Sequence, residues 1–314
     1  MTIGIAAYGP NAGLSILRAL AAVEAVGRGA IGGFVSMVAL SSSGAVLRAE
    51  TQQGGSRGLF PDGFGAAPPD LTAAAVAGLI SSGPNRPEPL AQFTPALGGV
   101  GLVTGHRMPN TAGVSGRQVN EEVLDRLRQG TSAERAVDEV LRANPLADAG
   151  VIALTVDGDL HAADTDYVAR RGDSGRAIVG SRATGAVVGV LHNSIHPYRP
   201  LAALAAEVAL DVMQPADRVD GWITIRAGAV LRAGTENAVE IDQDGLVEAI
   251  VVEDHRFLTG AWSVGLGYQT LVVRAGAPIG TMLLEPYMVV RDGRVLTVDG
   301  RPEQSVPIRT ARVR

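Results

Sequence analysis

The sequence contains no cysteine and no lysine, and all 27 of its basic residues are arginine. The absence of cysteine excludes disulfides, thiolate nucleophiles and zinc–thiolate sites. The absence of lysine excludes a Schiff-base lysine, a Walker A lysine and a serine–lysine pair. Arginine cannot replace lysine as a base, because its pKa stays above about 12. The five histidines therefore carry much of the acid–base capacity of the chain.

Aromatic residues and long apolar runs are also scarce. The 314 residues include 2 Trp, 5 Tyr and 5 Phe, and the net charge is −5, which excludes the basic, stacking surface of a nucleic-acid binder. Every apolar stretch is interrupted well before the roughly 18 residues that a membrane span requires. A hydrophobic content of 46% nevertheless provides for a large core. We expect a cytoplasmic protein with no nucleic-acid partner, no membrane partner and no cofactor.

A short segment occurs twice, 114 residues apart. Residues 38–51 have the sequence VALSSSGAVLRAET and residues 152–165 have the sequence IALTVDGDLHAADT, with five of fourteen positions identical. Each copy is an apolar run, a polar turn containing glycine and a second alternating run, the pattern of a β-hairpin. A helical pattern precedes each copy. Two such units stacked face to face would form a two-sheet core with helices outside.

The wider pattern predicts an α+β protein in two parts. Residues 1–214 contain the repeat, a buried strand at Thr2–Tyr8 and several amphipathic helices. Within them, residues 54–99 are rich in glycine and proline and predict a long loop or lid. Residues 215–314 carry short β-type runs and predict a β-rich continuation or small domain.

Several passages resemble members of the N-terminal-nucleophile (Ntn) hydrolase superfamily. Leu127–Ala136 (LRQGTSAERA) followed by Val151–His161 (VIALTVDGDLH) resembles its helix-then-hairpin passage, as found in the uncharacterised DUF1028-type family. Ile31–Phe34 (IGGF) is similar to the early part of gamma-glutamyltransferases, and Arg171–Ser174 (RGDS) to a passage of plant-type asparaginases. The resemblance implies an αββα sandwich similar to Ntn hydrolases, with a β-rich C-terminal part.

The resemblance also implies a nucleophile whose own α-amine acts as the base. Its asparaginase-like register places that residue at Asp148, and the register of the first repeat places it at Phe34. Neither side chain can attack a carbonyl as such a nucleophile. Thr2 qualifies if Met1 is removed, which a small second residue permits. Since neither register-matched position carries Thr, Ser or Cys, we expect no internal cleavage of the chain.

Polar residues at the ends of apolar runs predict a common cleft, because packed sheets bring strand ends to one rim. Histidine and aspartate would supply acid–base chemistry, and arginine would bind a substrate carboxylate bidentately. The candidate catalytic residues are His106, His192, Asp173 and Thr2. The candidate substrate-binding residues are Thr51, Gln52, Arg107, Arg171 and Asn193.

Three functions remain open from the sequence. The first is hydrolysis of a small amide or peptide-like bond in a substrate with a carboxylate. The second is a non-catalytic or structural member of the same fold. The third is a lyase or isomerase that depends on histidine or a metal, because His192 and His196 have metal-ligand spacing. A strand-to-loop setting argues against that metal site, so we expect none. We also expect the chain to form a homo-oligomer.

Overall fold

The computed structural model describes residues 1–216 and 218–310. The chain divides into two compact units, Met1–Pro215 and Ala216–Arg314. Both helices and strands build the first unit, whereas the second is composed almost wholly of strands. The predicted mixture of helix and strand with a β-rich C-terminal part is thus confirmed. Within the described residues, no helix combines the length and apolar character needed to cross a membrane.

The elements of the first unit are numbered along the chain. Its strands are β1 (Thr2–Tyr8), β2 (Val35–Leu40), β3 (Val46–Thr51), β4 (Val76–Ser82), β5 (Ala96–Leu97), β6 (Gly101–Arg107), β7 (Ala149–Thr155), β8 (Leu160–Asp164), β9 (Ser174–Ser181) and β10 (Ala186–Asn193). Its longer helices are α1 (Ala12–Val26), α2 (Val119–Arg128), α3 (Ala133–Ala143) and α4 (Tyr198–Met213). Short helical turns lie at Gly55–Leu59, Pro69–Thr72 and Asp166–Ala169.

The strands of this unit form two antiparallel sheets. The six-stranded sheet has the order β3-β2-β4-β1-β10-β9, and the four-stranded sheet has the order β5-β6-β7-β8. The amino-terminal strand β1 is therefore central, paired with β4 on one side and β10 on the other. A central position buries both faces of β1, which explains why its sequence is almost continuously apolar.

Alternate residues of the central strands pack in different directions. Ile3, Ile5 and Ala7 of β1 join a core cluster with α1 and α4. Ala6 of the same strand joins a cluster with Leu102 of the four-stranded sheet. The far side of the four-stranded sheet packs on α2 and α3. Period-two alternation thus divides each strand between a helix-facing core and a core between the sheets.

The prediction of a loop or lid over residues 54–99 is wrong for β4. Val76–Ser82 is a completely buried strand between β2 and β1 in the six-stranded sheet. Its run of small and apolar residues shows no alternation, because both of its faces are buried. Periodicity cannot distinguish such a short run from a helical segment. The surrounding glycine and proline residues do form turns and short helical segments.

Both copies of the repeat are hairpins, as predicted. β2 pairs with β3, and β7 pairs with β8. In the first turn, Ser41 N donates to Ala45 O at 2.9 Å and Ala45 N donates to the Ser41 hydroxyl at 3.0 Å. In the second turn, Thr155 N donates to Asp159 O and Asp159 N donates to the Thr155 hydroxyl, both at 3.0 Å. The matched residues therefore make the same turn.

The two repeat glycines provide a paired stability test. Gly44 and Gly158 both have left-handed backbones, with φ of 85° and 88°. A Cβ at Gly44 would lie 4.0 Å from the Gly99 nitrogen, an ordinary contact, whereas a Cβ at Gly158 would lie 2.6 Å from the Tyr8 ring. We expect Gly44→Ala to lower the free energy of unfolding by about 1 kcal/mol through backbone strain, and Gly158→Ala to lower it further. Urea unfolding measures both, and equal losses would contradict the packing contribution from Tyr8.

The two sheets lie close together where β1 crosses β6. A Cβ added to Gly4 would lie 2.6 Å from the carbonyl carbon of Gly105. A side chain at Gly4 would force these two backbones apart, whereas one at Gly105 would meet the Gly150 backbone of β7. This glycine contact therefore sets the spacing of the sheets two residues from Thr2.

The second unit contains one ten-stranded sheet around its own core. Its strands, in chain order, are β11 (Gly221–Arg226), β12 (Val230–Ala233), β13 (Ala238–Ile241), β14 (Val247–Val252), β15 (Ala261–Val264), β16 (Leu271–Arg274), β17 (Ala277–Met282), β18 (Met288–Arg291), β19 (Arg294–Val298) and β20 (Glu303–Thr310). Within the region predicted to carry short β-type runs, residues 288–298 form the hairpin of β18 and β19. The predicted β-rich character therefore corresponds to regular strand pairing.

Candidate functional site

Thr2 lies at the start of the central strand β1 and is only 2% exposed. Sheet register places it opposite Ser82 of β4 and opposite Asn193 of β10. The Thr2 hydroxyl donates to the Ser82 hydroxyl at 3.4 Å, and the Ser82 hydroxyl donates to the carbonyl oxygen of Met1. Three polar side chains are therefore neighbours at one end of the sheet.

A second set of hydrogen-bonded polar residues begins at Asn193. The Asn193 side-chain amide donates to the Ser194 hydroxyl at 3.2 Å, which in turn donates to Asp173 at 2.5 Å. Arg107 donates to Asp173 at 2.5 Å and to Asp148 at 3.1 Å. Burial opposes ionisation of Asp173, but the hydrogen bonds from Ser194 and Arg107 outweigh it and lower the pKa of this carboxyl. Asp173 is thus a carboxylate that orders the network.

Three non-glycine residues around this cluster have left-handed backbones. They are Asn85, Arg107 and Ser194, with φ of 62°, 61° and 54°. Arg107 is the last residue of β6, Ser194 directly follows β10, and both bind Asp173. Such conformations are unfavourable for residues with side chains and concentrate at functional sites. At Arg107 and Ser194, this conformation directs the ends of two strands toward the carboxylate of Asp173.

Arg86 completes the cluster from the turn after β4. Its Nη2 donates to the Ser82 hydroxyl at 2.5 Å, and its guanidinium lies 5.6 Å from the centre of the Phe34 ring. Gln52 holds the Arg86 backbone, since its Oε1 accepts from Arg86 N and its Nε2 donates to Arg86 O, both at 2.9 Å. The predicted ligand-binding residue Gln52 is therefore a support for Arg86.

The amino terminus lies within this charged cluster. Burial, and then the positive charges of Arg86 and Arg107, lower the pKa of the Met1 α-amine, while Asp173 and Asp148 oppose the shift. A cavity of about 250 Å³ beside Met1 is lined by Ser82, residues 83–87 and Ala30. A terminal amine with a lowered pKa is more often neutral near pH 7, the state that a general base requires.

The two candidate histidines do not open onto a cleft, because both are completely buried. His106 faces the core between the sheets, and its Nε2 lies 2.7 Å from Asp164. His192 lies on the same face of β10 as Val188 and Val190, which belong to the helix-facing core. Its Nε2 donates to the carbonyl oxygen of Tyr198 at 2.7 Å. The predicted gathering of both imidazoles at a shared polar rim is therefore wrong. Strand alternation, which the sequence pattern around them did not resolve, turns them to different sides.

Burial of His192 predicts a specific dependence of stability on pH. Desolvation lowers the pKa of His192 to about 4 from 6.5. The unfolded chain therefore binds a proton below about pH 6.5 that the folded protein binds only near pH 4, and folding weakens as the pH falls through this window. We expect His192→Gln to reduce this slope in urea unfolding, while His255→Gln at an exposed site retains it. An unchanged slope in His192→Gln would contradict the assignment.

The remaining predicted residues have separate local contacts. Thr51 donates to Gln53 O at 2.8 Å, and exposed Arg171 donates to the Tyr167 hydroxyl at 3.2 Å. Phe34 packs on Phe93, with ring centres 5.3 Å apart. The described residues contain no group of three His, Cys, Asp or Glu side chains able to hold a metal ion.

Sequence reasoning missed Ser82, Arg86 and Ser194. Ser82 and Arg86 were hidden in the segment predicted as a loop, although the apolar run that ends at Ser82 could have indicated a strand. Ser194 lies just beyond β10, after the candidate residues His192 and Asn193, and carries no motif. Local sequence could not reveal its contact with Asp173, which lies 21 residues earlier.

A larger cavity of about 740 Å³ lies away from this cluster, along α1 and residues 54–64. Its polar groups include Glu24 and Ser56, and the Ser56 hydroxyl donates to the Glu24 carboxylate. Burial raises the pKa of Glu24. The Ser56 hydroxyl is thus bound by the Glu24 carboxylate, and we place the candidate site at the amino terminus.

Comparison with protein families gives two matches. The family described as Domain of unknown function (DUF6963) matches residues 2–222. The family described as Domain of unknown function (DUF7259) matches residues 228–303. No curated protein matches the chain. The first match includes every residue of the cluster described above except Met1.

Proposed function

We propose that this chain, which belongs to the family described as Domain of unknown function (DUF6963), is an amidohydrolase of the Ntn type. Thr2 is its nucleophile once Met1 has been removed, and the freed α-amine of Thr2 is its base. The observation that carries the proposal is the position of Thr2. It starts a central strand, is buried, and lies between Ser82 and Asn193 in a cluster that lowers the pKa of a terminal amine.

The chemistry proceeds in two balanced steps. The Thr2 Oγ1 attacks the amide carbonyl carbon while the α-amine takes the hydroxyl proton, and that proton then passes to the departing amine as the C–N bond breaks. Water next attacks the ester carbon of the acyl-enzyme, and the α-amine takes a proton from water and returns it to Oγ1. The products are a carboxylic acid and an amine.

The surrounding groups suit these steps. The Oδ1 of Asn193 is buried and has no hydrogen-bond partner among the described residues, so it is available to accept a hydrogen from the terminal amine. The Ser82 hydroxyl loses its Met1 acceptor when Met1 is removed and becomes a donor for a substrate oxygen. Arg107 keeps Asp173 ionised, which holds Ser194 and through it Asn193 in place.

The layered arrangement of the first unit also supports the Ntn-like αββα sandwich as a proposal. Helices α1 and α4 pack on the six-stranded sheet, and α2 and α3 pack on the four-stranded sheet. The sheets meet through a third apolar cluster. Fold alone does not carry function, so the proposal depends on the Thr2 site.

Chemical modification of the amino terminus tests the proposed base. Because the chain has neither lysine nor cysteine, cyanate should add one carbamyl group, at the α-amine. We expect an intact mass that lacks Met1, one undivided chain, and loss of amide hydrolysis on carbamylation. The pH dependence of the modification rate measures the pKa of the freed Thr2 amine. Retention of Met1, or full activity after carbamylation, would exclude this mechanism.

A further inference from the structure

Of Arg86, Arg107 and Arg171, Arg86 is the one that binds a neighbour of Thr2, Ser82, and still has donors for a ligand anion. Arg107 is 7% exposed and already binds two carboxylates, Asp148 and Asp173. Arg171 is exposed and lies 5.8 Å from the Tyr167 ring, to whose hydroxyl it also donates. Arg86 forms no ion pair with a carboxylate in the described part of the chain, and only its Nη2 donates to a protein acceptor there.

The Arg86 guanidinium is held in place before any ligand binds. Gln52 fixes the backbone of Arg86 through two hydrogen bonds of 2.9 Å. The Phe34 ring lies on one side of the guanidinium and shields it from water. Ser82 binds the Nη2 end. A planar guanidinium with two remaining donor groups suits bidentate binding of a carboxylate, and preorganisation reduces the entropy lost on binding.

The space next to Arg86 is small, and the carbonyl oxygen of Met1 occupies part of it. The carbonyl oxygen of Met1 accepts from the Ser82 hydroxyl, and Arg86 donates to that same hydroxyl. Removal of Met1 would free this oxygen position beside the Thr2 hydroxyl. The neighbouring cavity of about 250 Å³ is smaller than the pockets that bind drug-sized ligands, typically about 300–1,000 Å³. The ligand is therefore short.

We infer that Arg86 selects the substrate class: short amides with a carboxylate a few bonds from the scissile carbonyl. The carboxylate binds the free edge of the Arg86 guanidinium, and the scissile carbonyl lies beside Thr2 and Ser82. This inference rests on the proposed function, since it places the reacting bond at Thr2. It changes the arginine expected to bind the carboxylate from Arg107 or Arg171 to Arg86.

Binding to a catalytically inactive chain tests the assignment separately from hydrolysis. Thr2→Ala retains a small second residue, so Met1 is still removed, but it lacks the nucleophile. Calorimetry on this full-length variant would compare succinamate with neutral succinamide. We expect succinamate to bind at least about tenfold more tightly, and Arg86→Met to abolish the difference. Arg86→Lys should retain part of the preference, and Arg171→Met should retain all of it.

Equal affinity for the two probes, no binding of succinamate at millimolar concentration, or a preference that survives Arg86→Met would overturn the assignment. If Arg86→Met fails to fold, the comparison between probes in the Thr2→Ala chain still decides whether a carboxylate is recognised, and Arg86→Lys decides whether Arg86 recognises it. Selective binding without hydrolysis by the unmutated chain would refute the proposed function and leave the anion site standing.

Discussion

Thr2→Ala is expected to lower kcat/KM for amide hydrolysis by at least about 10³-fold, because it removes the attacking hydroxyl and leaves the terminal amine in place. Thr2→Ser should retain much of the activity, since it keeps the hydroxyl. Initial rates of amine release from short acidic amides measure both effects. Intact mass must show removal of Met1 in each variant, so that the comparison concerns the side chain alone.

Thr104 provides the matched control for a buried threonine. Its hydroxyl donates to Leu79 O at 2.8 Å and lies outside the cluster at the amino terminus. We expect the Thr104→Ala protein to be somewhat less stable, because the Leu79 carbonyl loses its partner. Its activity should be unchanged. A Thr2→Ala protein that hydrolyses amides as fast as the unmutated chain would refute Thr2 as the nucleophile.

Gly4→Ala is expected to destabilise the first unit by about 3 kcal/mol or more. Its Cβ would overlap the Gly105 peptide, and two paired backbones cannot yield as a flexible side chain can. Because Gly4 is two residues from Thr2, the strain should also displace the amino terminus and reduce activity. Urea unfolding followed by circular dichroism measures the change in the free energy of unfolding.

Gly65→Ala is the control for glycine replacement as such. A Cβ at Gly65 meets no atom within 4 Å. Its backbone does not lie in the left-handed region. We expect a change within about 0.5 kcal/mol, as for an ordinary surface substitution. Gly4→Ala and Gly65→Ala proteins of equal stability would show that the close approach of β1 and β6 is not required.

The sequence predicted both hairpins and the buried strand β1, but it missed the buried strand β4. The repeat carried its own turn chemistry, so Gly44 and Gly158 identified both hairpins without tertiary information. The β4 strand at Val76–Ser82 lacked alternation and was assigned to a loop. Pairing with β2 and β1 defines that strand, and pairing partners distant in the chain leave no local signal.

The candidate site, like the fold, could be predicted from the sequence only in part. Sequence alone restricted the chemistry, since a chain without lysine or cysteine leaves the histidines, the carboxylates and the amino terminus as possible bases. It also named Thr2 as the residue that removal of Met1 would expose, and Asp173 and Asn193 from their positions at the ends of predicted segments. It could not place Arg86 or Ser194, because their contacts with Ser82 and Asp173 depend on strands being brought together.

Composition and local pattern determined the chemical inventory, the repeated hairpins and the strand that begins at Thr2, because these depend on residue type and near-neighbour spacing. Only the tertiary structure decided that β1 is central, that His106 and His192 are enclosed, and that Arg86 and Ser82 surround the amino terminus. Register and side-chain direction depend on which strands pair, and one step in a strand reverses the face that a residue occupies.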